Sequence, residues 1–324
     1  MRLEPPLEFS ESHRANPCKR PDTTMPRARH ARAHAEVATK GRRASRRFPA
    51  AAAYCGVHSL KPTRGRIATR GVVLISHTLD HVGLLAADGE SLRRFASVTL
   101  ADWQAAWAAT EPPPPFSSPA QIPRLGIPVG PYLDQVAPAE RASFEDTLAR
   151  LVAAGVHIAP VPMLANHADV SASHRTIMHH ELALNHTASG RWPRYAAYYR
   201  GRTAEDIDRG LRTPPEVYEQ AMALRASTPA SVAAAMRAHA VDLLITPAAT
   251  TVAPLGLVST GDAGMQAVWT YLGWPVLGVP SGLVGGLPVG IQLVGQPGSD
   301  EALMRVAAAI QAAGDMPDWV LLDR

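Results

Sequence analysis

The stretch Phe48 to Gly83, FPAAAAYCGVHSLKPTRGRIATRGVVLISHTLDHVG, constrains this chain more than any other. Ala50 to Ala53 and Gly56 are small enough for backbones to approach closely. Lys61-Pro62-Thr63-Arg64-Gly65 carries turn chemistry, with Pro fixing φ and Gly admitting positive φ. Gly71 to Ile75 is a short β-branched run of strand character. The expectation is a tightly packed strand-turn-strand. Lys61, with Pro62 behind it, reads as a turn lysine in solvent, without a catalytic role.

The order of motifs in this stretch says more. Pro49-Ala50, Tyr54-Cys55-Gly56-Val57, Leu60-Lys61-Pro62-Thr63, Gly65-Arg66, Gly71-Val72-Val73 and Leu79-Asp80-x-Val82-Gly83 together resemble the segment of the amidase signature family that directly follows its nucleophilic serine. In that family the nucleophile is the Ser of a Gly-Gly-Ser-[Ile/Val]-Arg-x-Pro-Ala turn. Here Arg43-Ala44-Ser45-Arg46-Arg47-Phe48-Pro49-Ala50 occupies the register, so the resemblance makes Ser45 the aligned nucleophile. The family's glycines let backbone N–H groups face a developing oxyanion, a geometry that the side chains of Arg43 and Ala44 obstruct. The resemblance further implies a relay serine and a neutral lysine base upstream. Neither has a counterpart. The relay serine falls near Pro21 or Asp22, and Lys19 and Lys40 are too close to Ser45 in sequence to match the lysine.

At 324 residues and 46% apolar content the chain can bury a sizeable core. The formal net charge is +4, but residues 1–47 hold 12 Lys/Arg against 5 Asp/Glu, leaving 20 against 23 in the rest. The basicity belongs to one tail. That tail has one Val and no Ile, Trp or Tyr, so it cannot bury enough to order itself. A solvated arm, a transit peptide and a replaced amidase N-terminal half compete to explain it. From Arg14 to Arg47 no Phe, Trp or Tyr lies between its arginines to stack bases, which argues against a nucleic-acid arm. Its five acidic residues argue against a transit peptide. Replacement or truncation agrees best with the abrupt onset of resemblance near Ser45. Residues 1–47 are therefore a basic, disordered, non-family segment and residues 48–324 an amidase-like domain. Cys18 and Cys55 cannot build a disulfide framework, so a reducing, cytoplasmic setting is expected.

Ser91 to Trp107 has helical character and Pro112 to Pro115 forms an extended spacer. Arg124 to Val129 reads as a strand, Pro138 opens a helix with Phe144, Leu148, Leu151 and Val152 on one face, and Val156 to Val161 is a second, parallel strand. His179, His180, Glu181 and His186 invite a metal reading that the spacing refuses, because position 184 is Leu where a zinc-protease helix needs His. They read as a polar helix face. Trp192, Tyr195, Tyr198 and Tyr199 form an aromatic cluster with the character of a lid. The segment from Glu181 to Glu219 resembles the family's variable helical region.

Thr228-Pro229 is expected to cap a helix with Val232, Ala235 and Met236 inward, followed by a buried strand Asp242 to Pro247. Asp262 is an expected N-cap for a helix burying Met265, Val268, Trp269 and Leu272 and ending at Gly273. Val276 to Val279 and Val289 to Val294 should pair across a Gly-rich turn, and Ser299 should cap a last helix bearing Leu303, Val306, Ala307 and Ile310. No charge lies between Asp262 and Asp300, yet Pro275, Pro280 and Pro288 rule out a continuous membrane helix. Ser281, in Gly-Val-Pro-Ser-Gly, misses the nucleophile-elbow spacing by one place.

These observations give an α/β fold, a mixed β-sheet sandwiched between helices, resembling the C-terminal portion of the amidase signature domain. The resemblance implies hydrolysis of a carboxamide in a small-molecule amide through an acyl-serine on Ser45, weakened by the missing lysine and relay serine. A glutaminase-type subunit of an amidotransferase, or a catalytically silent protein keeping the fold, are the alternatives. No cofactor, metal, nucleic-acid partner or membrane association is expected. Association of copies is, because an amidase domain without its N-terminal half exposes apolar sheet edges.

Overall fold

A computed structural model of the chain describes residues 48–103, 105, 122–256 and 258–317. The basic tail with Ser45, the proline spacer and the last seven residues lie outside the described residues. The stretch expected to be strand-turn-strand opens instead on a helix, α1 (Phe48–Cys55). Its four alanines are the best helix formers, and Gly56 ends it with φ 62°. The N–H groups of Gly56 and Val57 return to the carbonyls of Ala53 and Ala52 at 3.2 and 3.0 Å. The chain then reverses into β1 (His58–Lys61) and β2 (Leu84–Ala86), paired antiparallel. Gly71 to Ile75 forms no strand. The N–H groups of Ile75 and Ser76 are taken by Asp80 Oδ2 at 2.6 and 3.1 Å, a local side-chain bond that competes with any sheet ladder.

Past β2 come α2 (Gly89–Thr99), β3 (Leu125–Val129), α3 (Pro138–Ala153), β4 (Ile158–Pro162) and α4 (His167–Ala188). A 3₁₀ turn at Ala196–Tyr198 leads to α5 (Gly201–Leu211), α6 (Pro215–Ala238) and β5 (Leu243–Pro247). The chain closes with α7 (Gly264–Leu272), β6 (Val276–Val284), β7 (Leu287–Val294) and α8 (Asp300–Ala313). The seven strands form one mixed sheet in the order β2-β1-β6-β7-β5-β3-β4. β3, β4 and β5 run parallel to one another, and the remaining pairs are antiparallel. Helices α1 and α7, with α4 and α6 beyond them, cover one face, and α2, α3 and α8 the other. The α/β sandwich expected from the sequence is the fold of the described residues.

Two glycines seat α1 on the sheet. A Cβ on Gly278 would lie 3.3 Å from Pro49 Cα, and one on Gly290 would lie 3.3 Å from Ala53 Cβ, so side chains at these places would lift the helix off β6 and β7. Where a helix was expected to start at Thr228, α6 runs straight through Pro229. Thr228 Oγ1 donates to the Leu224 carbonyl at 2.6 Å, supplying a polar contact at the turn where proline brings no N–H. On α3, Phe144 and Leu151 are buried, but Val152 is 55% exposed and lies off the expected face. The predicted inward residues of α7 and α8 are all buried, and Gly273 ends α7 in the left-handed conformation with φ 74°. Asp262 accepts the N–H of Gly264 at 3.0 Å just ahead of α7, whereas Ser299 makes no side-chain cap on α8.

Candidate active site

The residues of the long motif meet at the N-terminal end of α1. Side chains alternate along β1, so Ser59 and Lys61 share one face. That face looks toward α1: a Cβ on Gly278 would sit 2.6 Å from Ser59 Oγ and 3.4 Å from Pro49 Cβ. The β1–β2 register sets Leu84 opposite Leu60, which brings Gly83 level with Lys61. Gly83 is where the chain passes under Phe48, because a Cβ there would lie 2.5 Å from the phenyl Cδ2.

Lys61 is not the solvent lysine expected from its turn. It is 0% exposed, at the end of a fully buried strand, and its Nζ donates to the Trp274 carbonyl. Burial pulls its ammonium down to about 7, against the opposing pull of the Asp300 carboxylate. Asp300 is itself held by the Thr63 N–H and Oγ1 at 2.7 and 2.6 Å, and by Arg66 at 3.4 Å. Arg66 also pairs with Glu301 at 2.7 Å, so the Lys-Pro-Thr turn is pinned to the start of α8.

His81 is buried on the same loop. Its Nδ1 lies 2.8 Å from the Leu79 carbonyl, which can only accept, so Nδ1 carries the proton and Nε2 presents a lone pair. Nε2 is buried without a hydrogen-bond partner among the described residues. Burial first, and then the neighbouring Lys61 charge, hold the imidazole well below its ordinary range. Lys61 and His81 are thus two buried nitrogen bases of the long motif, close enough for the charge of one to act on the other.

Glu181 of α4 braces this loop from above. Sequence alone read it as part of a polar helix face; it is 0% exposed. Its carboxylate accepts from Ser76 Oγ, from Thr78 Oγ1 and the Thr78 N–H, and from Tyr218 OH of α6 at 2.9 Å, with His77 at 3.6 Å. Burial pushes its pKa up, but hydrogen bonds from Ser76, Thr78 and Tyr218 outweigh it and the net shift is down. Tyr218 responds in the opposite sense, raised to about 12 by burial and by the carboxylate it serves. Arg225, half-buried on α6, is lowered by burial and by Arg64, and its Nε finds no partner among the described residues.

The histidines of α4 do not converge. His179 pairs with Asp206 at 3.3 Å, His180 stacks on Tyr218 at 4.2 Å, and His186 Nδ1 meets the Tyr199 hydroxyl. Among the described residues no group of three or more His, Cys, Asp or Glu could hold a metal ion, and no helix is long and apolar enough to cross a membrane. Ser281 is buried in a separate small cleft with Tyr54, Glu140, Phe144 and Gly290. Ser45 lies outside the described residues, three positions before Phe48. His81 and Arg225 escaped the sequence reading. His81 fills the unassigned place in Leu79-Asp80-x-Val82-Gly83, and Arg225 stands in a helix whose charge pattern suggests only a solvated face.

Comparison with known proteins agrees with this fold. The glutamyl-tRNA(Gln) amidotransferase A subunit of Granulibacter bethesdensis is 27% identical over 302 residues, covering 81% of this chain and 59% of its own length. An amidase crystal structure superposes with a TM-score of 0.70 at 22% identity, over 83% of this chain and 61% of that one. The native peptide amidase of Stenotrophomonas maltophilia gives a TM-score of 0.65 at 22% identity, over 86% and 62%. At these identities the two structures show a shared fold. The chain spans about 60% of the length of these relatives. The model of the Amidase family matches residues 44–304, most of the sequence and every element from α1 to the start of α8, and the chain belongs to that family.

Proposed function

We propose that this chain's chemistry is cleavage of a carboxamide C–N bond in a small-molecule amide, through an acyl-enzyme on Ser45. The observation that carries the reading is the family match, which begins at residue 44 and so includes Ser45. The serine Oγ adds to the amide carbonyl carbon and its proton leaves on the departing amine. Water then cleaves the ester and releases the acid. A helix that starts three residues after the nucleophile offers N–H groups and the positive end of its dipole to an oxyanion. Gly83 supports this role by letting Phe48 settle closely onto the sheet.

The family's lysine and relay serine have no match in this sequence, and losing members of such a unit costs about four to six decades in turnover. Little or no hydrolysis is the corresponding expectation for the chain as written. Arg43 and Ala44, in place of the two glycines, favour a second reading in which the fold persists without catalysis. The amidotransferase relative, a subunit by name, supports association with other chains, and the sparse cysteines support a reducing cytoplasm. The test is a serine-directed fluorophosphonate applied to the full chain and to Ser45→Ala. Slow labelling that vanishes in the variant supports the acyl-serine. Labelling that survives the substitution removes Ser45 from the mechanism, and none after prolonged incubation favours the silent reading.

A further inference from the structure

The segment Arg191 to Arg202, RWPRYAAYYRGR, combines charge and aromatic rings in a way the mechanism does not use. Arg191, Arg194, Arg200 and Arg202 are all exposed. None has an ion-pair partner among the described residues. No Asp or Glu occurs between Glu181 and Glu205. The acids that follow are mostly engaged: Glu205 pairs with Arg209 at 3.7 Å, and Asp206 with both Arg209 at 3.2 Å and His179 at 3.3 Å. The segment from 191 to 202 thus carries four exposed guanidinium groups and no carboxylate.

Its aromatic residues divide into two roles. Trp192 and Tyr199 meet edge to face at 5.6 Å and pack with Ile75, Leu182 and Ile207, which anchors the segment beside the loop that Glu181 braces. Tyr198 and Tyr195 stand outward, 87% and 44% exposed, with the Arg194 guanidinium 5.2 Å from the Tyr195 ring centre. The two exposed rings lie 6.4 Å apart, centre to centre, and so present one aromatic patch rather than scattered side chains. Paired with unneutralised arginines, they match what a single strand of nucleic acid offers: phosphates for the guanidinium groups and unpaired bases for the rings.

We propose that residues 191–202 are a docking surface for single-stranded nucleic acid. From Arg14 to Arg47 the basic tail has arginines with no Phe, Trp or Tyr among them; this segment has both. The arginines neutralise backbone phosphates without reading sequence, and Tyr195 and Tyr198 stack on adjacent bases. Duplexes, whose bases are already stacked, engage only the charge.

The test is fluorescence anisotropy of the full chain with labelled 12-nucleotide RNA and DNA single strands and the matching duplex, over a salt series. The tail is present throughout, so each comparison is with the parent chain. Single strands should bind more tightly than the duplex, with RNA against DNA showing whether the 2′-hydroxyl is read. Tyr198→Ala, at a site 87% exposed and free of the core, should weaken single-strand binding by about 5- to 150-fold and leave duplex binding unchanged. The triple variant Arg194→Ala/Arg200→Ala/Arg202→Ala should flatten the slope of log K against log salt by about 0.7 for each phosphate no longer neutralised. Circular dichroism and thermal melting establish that each variant folds like the parent. Equal affinity for single strands and duplex, or parental binding by the folded variants, would overturn the proposal and leave the tail as the source of any binding.

Discussion

The Glu181 carboxylate accepts the Thr78 backbone N–H at 3.0 Å across 103 residues of sequence, and this bond ties α4 to the loop under the N-terminal end of α1. Ser76, Thr78 and Tyr218 direct their hydroxyls at the same carboxylate. Removing it strands several donors in a place water does not reach, and each such group costs about 1–3 kcal/mol. Glu181→Ala should lower unfolding stability by about 3–5 kcal/mol in urea melts, the sum of several such stranded donors acting less than additively. Glu181→Gln keeps one accepting oxygen but turns an NH₂ toward donors, so its stability should fall between those of the parent and the alanine variant. An alanine variant within about 0.5 kcal/mol of the parent, the range of an ordinary surface substitution, would show that the loop holds its place without α4.

Gly83 and Phe48 make a second long-range contact with a definite consequence. A methyl at position 83 would overlap the ring at 2.5 Å, so Gly83→Ala forces the helix or the ring to move. The expected cost is about 1–3 kcal/mol, measured as a lowered Tm. Phe48→Leu should lose less when combined with Gly83→Ala than it does in the parent, because the smaller side chain relieves the overlap. Strictly additive losses in the double-mutant cycle would mean that the two positions do not communicate.

Much of this fold was legible because the C-terminal third follows local rules. Hydrophobic spacing places the inward residues of α7 and α8, and the glycines of Gly285-Gly286 turn β6 into β7. The errors arise where contacts across the chain decide the outcome. Nothing local distinguishes Lys61 from a surface turn lysine. Its ammonium meets the Trp274 carbonyl, 213 residues away in sequence, and feels the Asp300 carboxylate beyond it. Gly71 to Ile75 has strand composition, but one carboxylate, Asp80, captures the N–H groups at its end. Glu181 is a charged residue on a helix rich in histidine, and only the loop docked against it makes it a buried acceptor. The candidate site was legible as a motif and not as a geometry, since alternation along β1 alone does not say which face meets α1.

Lys61 also predicts a pH dependence of stability. Its ordinary value of 10.5 applies to the unfolded chain, and burial lowers it to about 7 in the fold. Between those values the unfolded chain binds a proton that the folded chain does not, so stability rises with pH across that interval. The contribution is complete above about 10.5 and is lost as pH falls through about 7, where the ammonium must be charged without water around it. This single group gives a slope approaching about 1.4 kcal/mol per pH unit between the two limits. Replacing it with an uncharged chain of similar length removes the titration, so the difference in stability between Lys61→Met and the parent should narrow or shift in favour of the parent as pH rises from about 7 to about 10. Urea melts of both proteins at closely spaced pH values provide the measurement. Parallel curves over that range would show that Lys61 keeps its ordinary proton affinity in the fold, and its place as a buried neutral base beside His81 would be lost.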